Sequence, residues 1–223
     1  MIAGCNEGRT ITCTEVGLAG FLKWNINRPD SVMCNVMAMM RIDPNCGTIY
    51  FPSNLVVSSD LTLDGFRQLP CFEGSRISRG AGDFVHHQVA AGSFHDVPWN
   101  ASLCFYGQVL LSVTVAANLY PQDKSDWSNY SLDIEADTKR LHDNVMSDLL
   151  GIPKVHDRSE LVRIHKMPAY QRVLTQSLCW TFDQFGVSSD HDFRDGSTSV
   201  LLRYGDRHER ALAAHKSATV LTP

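Results

Sequence analysis

Nine histidines and seven cysteines carry most of the reactive chemistry of this 223-residue chain. His86 and His87 are adjacent, and on a strand they face opposite sides, so one metal ion does not easily take both. His95-Asp96 and His191-Asp192 each set an imidazole beside a carboxylate, and convergence of their loops would build a zinc or iron site. His208-Glu209 opens like a zinc-binding HExxH, but Leu212 stands where the second histidine belongs. His208, Leu212 and His215 share one helical face. A cysteine nucleophile needs a neighbouring base and a lowered thiol pKa. Cys104 and Cys179 lie in alternating strand-like runs and are the candidates, with His95 or His191 as base. No GxSxG elbow, no strand followed by GxGxxG and no phosphate loop ending in Gly-Lys accompanies them. The expectation is therefore inert sheet thiols and hydrogen-bonded histidines, with no catalytic residue, metal or cofactor.

A different chemistry is suggested between Asp123 and Asp148. Seven acids and three bases there leave a net charge of −4, equal to that of the whole chain, so the remainder is neutral. Trp127 and Tyr130 sit among Asp123, Asp126 and Asp133. Aromatic anchors beside charges suit a protein interface, and an acidic face steers a basic partner. The candidate contacts are Asp126, Trp127, Tyr130, Asp133, Glu135 and Asp137. The plainer reading is a solvated helix face with Trp127 stapling the helix start to a sheet.

These residues need a scaffold, and the stretch from Trp99 to Gly151 supplies its centre. Trp99, Ala101, Leu103 and Phe105 alternate with Asn100, Ser102, Cys104 and Tyr106, and after Gly107-Gln108 the apolar Val109, Leu111, Val113 and Val115 again take odd positions. Period-two alternation marks half-buried strands. A two-residue loop would set the apolar sets on opposite faces, so the pattern predicts a bulged hairpin with an odd-length loop and positive φ at Gly107. A helix over about 131–150 follows, capped by Ser125, Asp126, Ser128 or Ser131 and stopped by Gly151 and Pro153. Ile134, Thr138, Leu141, Val145 and Leu149, flanked by Met146 and Leu150, read as its core-facing stripe.

Elsewhere the apolar, Met-rich run 32–42 predicts a strand paired through Asp43–Gly47 to 48–51. Ser58-Ser59-Asp60 should cap a short helix over 61–68, residues 74–82 are turn-rich, and Phe84–Phe94 reads as a strand. Residues 11–22 read as a strand or a short helix, and 152–176 read as irregular with helical turns at 159–165 and 168–174. Leu178–Phe182 and Ser197–Tyr204 read as a second hairpin with Asp195-Gly196 as its turn, and a terminal helix follows Gly205. With no regular βαβ alternation, the fold class is α+β: a twisted, mainly antiparallel sheet built from hairpins and packed against one long amphipathic helix at about 131–150. The whole chain, 1–223, reads as a single domain, divisible at most into 1–97 and 98–223.

Composition narrows the function classes. The chain is 43% hydrophobic with a pI near 6.1, which suits a globular core and gives no support to nucleic-acid binding. No run of apolar residues is long enough to span a membrane. An odd number of cysteines without CxxC spacing suits reduced thiols and a cytoplasmic location. Ile2-Ala3-Gly4-Cys5 looks like the end of a bacterial lipoprotein signal without its charged and apolar parts, so the alternative is a periplasmic lipoprotein anchored at Cys5.

The runs YPQDKSDWSNYSLDIEADTKRLHD, LLGIP and WTF…GVSSDHDFRDGSTSVLLRYG resemble small bacterial proteins of the toxin-immunity type over about Val97–Arg210. The resembling motifs are structural and carry over no active-site residue. The resemblance implies a non-enzymatic binding protein that blocks the active site of a cognate toxin, in one version a basic nuclease-like domain met by the acidic helix. The alternative is a hydrolase with a distributed His/Cys/Asp site, with or without a metal ion.

Overall fold

The computed structural model describes residues 39–79, 83–120, 130–158, 160 and 168–220. They belong to one compact unit, residues 36–223. The expected elements at 11–22 and 159–165, and most of the strand at 32–42, lie outside them. A small antiparallel sheet comes first: β1 (Arg41–Ile42), β2 (Ile49–Tyr50) and β3 (Val56–Val57), in that order. Asp43 shapes the β1–β2 turn by accepting the Asn45 N–H at 2.9 Å. The short helix α1 (Leu63–Arg67) is capped by Thr62, whose hydroxyl accepts the Gly65 N–H at 3.0 Å. The expected cap at Ser58-Ser59-Asp60 lies too far upstream, because Thr62 is the last extended residue before the helix.

The main sheet has eight antiparallel strands. Its first half is a meander of β4 (Arg76–Arg79), β5 (Phe84–Phe94), β6 (Val97–Tyr106) and β7 (Val109–Ala117). Helix α2 (Leu132–Leu150) then carries the chain across to the far edge. A second meander returns through β8 (Lys154–Asp157), β9 (Gln176–Thr181), β10 (Phe185–Asp192) and β11 (Ser197–Tyr204). A 3-10 segment, Ala169–Thr175, precedes β9, and helix α3 (Arg207–Val220) follows β11. The spatial order β4-β5-β6-β7-β11-β10-β9-β8 joins the two meanders along β7 and β11. β5 and β6 pair along nearly their whole length, so the sheet is continuous across residue 97.

The fold is thus α+β with an antiparallel sheet, as the hairpin pattern predicts, with four local departures. β4 occupies the turn-rich stretch, and β8 is a strand within 152–176, which the pattern predicts to be irregular. β10 stands between β9 and β11, which the hairpin pattern predicts to pair directly. The β6–β7 loop has two residues, with Tyr106 opposite Val109. The register is corrected inside β7: Phe105 faces Leu110 but Cys104 faces Ser112, so Leu111 is the extra residue of a bulge. Gly107 has the expected positive φ, 56°. Beyond the bulge odd pairs with odd, and Trp99, Ala101, Leu103, Val113 and Val115 share one buried face.

That face carries the main core, which takes Val145 and Met146 from α2 and Met40, Ile49, Val57 and Phe66 from the N-terminal elements. On the opposite face a smaller cluster of Phe84, Cys104, Leu111 and Ala211 holds α3. Both ends of α2 are tied down. Ser131 caps the first turn by accepting the Ile134 N–H, and the Trp180 indole donates to the Gly151 carbonyl at 2.8 Å.

Candidate functional site

Hydropathy alone finds only part of the buried face of α2: Thr138 and Val145 of the predicted stripe are buried, with Met146 beside them. Its buried residues are Glu135, Ala136, Thr138, Lys139, His142, Asp143, Val145 and Met146, while Ile134, Leu141 and Leu149 of the predicted stripe are half-buried. Glu135, Lys139 and Asp143 follow one another at intervals of four, on one side of the helix. They are 5%, 0% and 9% exposed, and His142 beside them is 0% exposed. The reason lies in the strands below, where alternation along β10 and β11 points the buried Ser189, His191 and Thr198 to the same interior. Polar helix meets polar sheet, and the wholly apolar core lies to the side.

The first part of this network is built on Glu135. Its Oε1 accepts the Tyr120 hydroxyl at 2.8 Å, and its Oε2 lies 3.7 Å from His191 Nδ1. His191 Nδ1 also contacts Thr198 Oγ1 at 2.9 Å, and Phe193 stands edge-on to the imidazole. Burial alone would push the Glu135 carboxyl up, yet His191, Thr198 and Tyr120 gathered around it hold its pKa below the ordinary value. Burial and then the Glu135 carboxylate push the Tyr120 hydroxyl well up, so it remains a donor.

The second part is the ion pair of Lys139 with Asp143. Burial lowers the lysine and raises the aspartate, and each charge opposes that loss in the other. Breaking such a pair from one side costs about 3–5 kcal/mol, because the survivor is left charged and dry. His142 completes the set. Its Nε2 accepts the Ala117 N–H at 2.8 Å, its ring lies 5.1 Å from that of Trp99, and burial followed by the Lys139 charge drives its pKa down to about 3. It is a neutral imidazole tying α2 to the end of β7.

Five buried polar atoms in and around this layer lack a hydrogen-bond partner among the described residues: Glu135 Oε2, His142 Nδ1, Arg158 Nε, Ser189 Oγ and His191 Nε2. An imidazole backed by a carboxylate, with its far nitrogen unengaged, is the arrangement of a general base. His191 is, however, 0% exposed.

The sequence-predicted contacts separate. Asp133 and Asp137 are exposed on the outer side of α2; Asp133 accepts the Gln171 amide at 2.8 Å and Asp137 pairs with Arg140 at 2.6 Å. Tyr130 is 37% exposed. Its hydroxyl is raised by burial and then by the negative charges of Glu135 and Asp195, which brings the β10–β11 turn into the same acidic neighbourhood. Glu135 is turned inward and is no surface residue, because Tyr120, Thr198 and His191 hold it beneath the helix. Asp126 and Trp127 lie outside the described residues.

The other histidines and the cysteines also find their places. His86 and His87 do face opposite sides: His87 is buried against Phe66 with Ser75 Oγ at 3.3 Å, and His86 Nε2 lies 3.6 Å from Cys104 Sγ across the β5–β6 pair. Burial raises the Cys104 thiol and, with the charge of His208, lowers His86, so the pair is neutral and its polarisation opposes thiolate formation. Cys179 Sγ contacts Ser177 Oγ at 3.6 Å. His95 and Asp96 have φ of 52° and 59° and form the tight β5–β6 turn, a conformation that histidine and aspartate tolerate better than most residues. Among the described residues no three His, Cys, Asp or Glu side chains converge to hold a metal ion.

Lys139, His142, Asp143, Ser189 and Tyr120 are site residues that hydropathy did not single out. The acid–base–acid spacing at 135, 139 and 143 was the available signal for Lys139 and Asp143 alone. No helix among the described residues is long and apolar enough to cross a membrane. No family model, curated protein or solved structure matches the chain.

Proposed function

We propose that this protein acts by binding, as an immunity-type protein that blocks a basic, nuclease-like toxin, with the outer side of α2 and the adjoining Tyr130 as the contact. One observation carries the reading: the helix sorts its charges. The Lys139–Asp143 pair and Glu135 are sunk beneath it, while Asp133 and Asp137 remain on the exposed side. The buried network fixes the helix, and a fixed acidic face with an aromatic at its entrance suits electrostatic steering and anchoring of a basic partner. The test is co-expression with the product of the adjacent gene. A stoichiometric complex that rescues growth is expected, and Asp133→Lys with Asp137→Lys should weaken it at least about tenfold and flatten its salt dependence. Absence of a complex, or affinity unchanged by both reversals, overturns the reading.

A hydrolase reading has the Glu135–His191 pair behind it, with His191 as base. It requires turnover of an ester or phosphoester panel that His191→Gln abolishes while the fold is retained. Turnover that survives this change, or none at all, excludes that pair as its centre.

A further inference from the structure

The face of the sheet opposite α2 carries a feature that the binding role does not use. Between α3 and β6–β7 runs a groove of about 330 Å³. Its apolar walls are Leu111, Ala211, Ala214 and the ring of Tyr106, and its cationic mouth is formed by Arg207 and Arg210. The β7 bulge creates the floor, because the extra residue, Leu111, turns its buried side chain to this face while its neighbour Leu110 points into the main core. Ala211 and Ala214 lie three residues apart and leave open the space that larger side chains would fill. Val109 at the edge is 48% exposed.

The charges at the mouth are unbalanced. Arg210 pairs with Asp206 at 2.9 Å, on the exposed side of the helix. Arg207 is half-buried and donates from Nη1 to the carbonyls of Ser59 at 2.6 Å and Leu110 at 3.3 Å. Among the described residues no carboxylate pairs with it. A guanidinium held by two carbonyls keeps its full charge, and a planar anion is its natural complement. It also stands at the first residue of α3, where the helix dipole favours negative charge.

We infer that this groove binds the anion of a medium-chain fatty acid, with the carboxylate between Arg207 and Arg210 and the alkyl tail along Leu111, Ala211 and Ala214. The volume lies at the lower end of ligand pockets, about 300–1,000 Å³, which suits one short tail rather than a two-chain lipid. The apolar floor supplies the affinity and the arginines select the head group.

Calorimetric titration with decanoate below its micelle range, with decanol as the uncharged control, tests the inference. Decanoate should bind saturably at one site, and decanol at least about tenfold more weakly, the loss expected when one charge-assisted contact is missing. Ala214→Trp fills the groove from an exposed position and should abolish binding. Arg210→Glu, also at an exposed position, should weaken decanoate at least about tenfold and leave decanol unchanged. Unaltered thermal melts of both variants establish that the fold is intact. Absence of saturable decanoate binding overturns the inference. So does binding that survives Ala214→Trp, or decanol binding as tight as decanoate.

Discussion

His142 shows how one buried side chain makes the whole protein sensitive to acid. In the fold it is 0% exposed and its pKa lies at about 3, whereas the imidazole of an unfolded chain protonates near 6.5. Because the folded value is the lower one, the unfolded state binds the proton first. Stability is complete above pH 6.5 and falls steadily from there toward pH 3. At about 1.4 kcal/mol per pH unit, His142 alone should remove about 2 kcal/mol between pH 6.5 and 5. His86 and His87, lowered by burial, steepen the same window. Glu135 acts lower down: its carboxylate is favoured in the fold, so its contribution is present above the ordinary glutamate pKa and is lost as pH falls through its depressed value. Urea midpoints at pH 7 and pH 5 check this. His142→Gln, which keeps an acceptor for the Ala117 N–H, should recover a large part of the loss, and an unchanged slope would show that His142 does not carry it. At the residue scale the burial of His142 was not legible, because hydropathy sends Lys139, His142 and Asp143 to the surface and the spacing of Glu135, Lys139 and Asp143 marks only their common side of the helix. Only the polar residues opposite them on β10 and β11 make their burial intelligible.

The same polar matching explains what was and was not legible among the elements. β6, β7 and β11 alternate between apolar and polar residues and could be read directly, as could α2 with its stop at Gly151, while its cap at Ser131 was one of four candidates. β10 could not, because Ser189 and His191 are inward-facing residues of a type that usually marks an exposed face. Sequence also showed that β6 and β7 needed a register correction but not where it lay. Alternation constrains only the outcome, and an odd loop or a bulge at Leu111 satisfies it equally. A second irregularity, in β5 between Ala90 and Gly92, can be tested by substitution. Gly92 has φ of 95°, and a Cβ there would stand 2.9 Å from both Pro52 Cβ and the Ser53 nitrogen. The left-handed backbone alone costs a side chain about 1–3 kcal/mol, and the collision with the backbone of the loop between β2 and β3 adds to it. Gly92→Ala should therefore lower the urea midpoint by more than Gly107→Ala, where φ is also positive but no atom lies within 4 Å of the added Cβ. Equal losses would show that backbone conformation, rather than the close approach of the loop, sets the requirement for glycine.

For the molecule as a whole, the hairpins announced an antiparallel sheet, but the pairing of β7 with β11 depends on residues far apart in sequence and left no local trace. That seam decides whether the meanders β4–β7 and β8–β11 behave as one body. Its register pairs Val115 with Val200 and Val113 with Leu202, all four residues belong to the main core, and α2 lies across it. A shared core of this kind predicts one cooperative transition. Each half has its own reporter: Trp99, 2% exposed, in β6, and Trp180, 4% exposed, in β9. Replacing Trp24 and Trp127 with Phe, together with one of these two, leaves a single tryptophan in either half. The remaining tryptophan's fluorescence and the circular dichroism of the same protein should then share one urea midpoint in both variants. Leu202→Ala, at a seam position 1% exposed, should lower the midpoint seen by each tryptophan together, by an amount in the usual range of about 2–5 kcal/mol for a core leucine. A midpoint that moves for Trp180 while Trp99 stays in place would mean that the first meander holds its structure alone. In that case α2, which connects the two, would owe its position to the second meander rather than to the whole sheet.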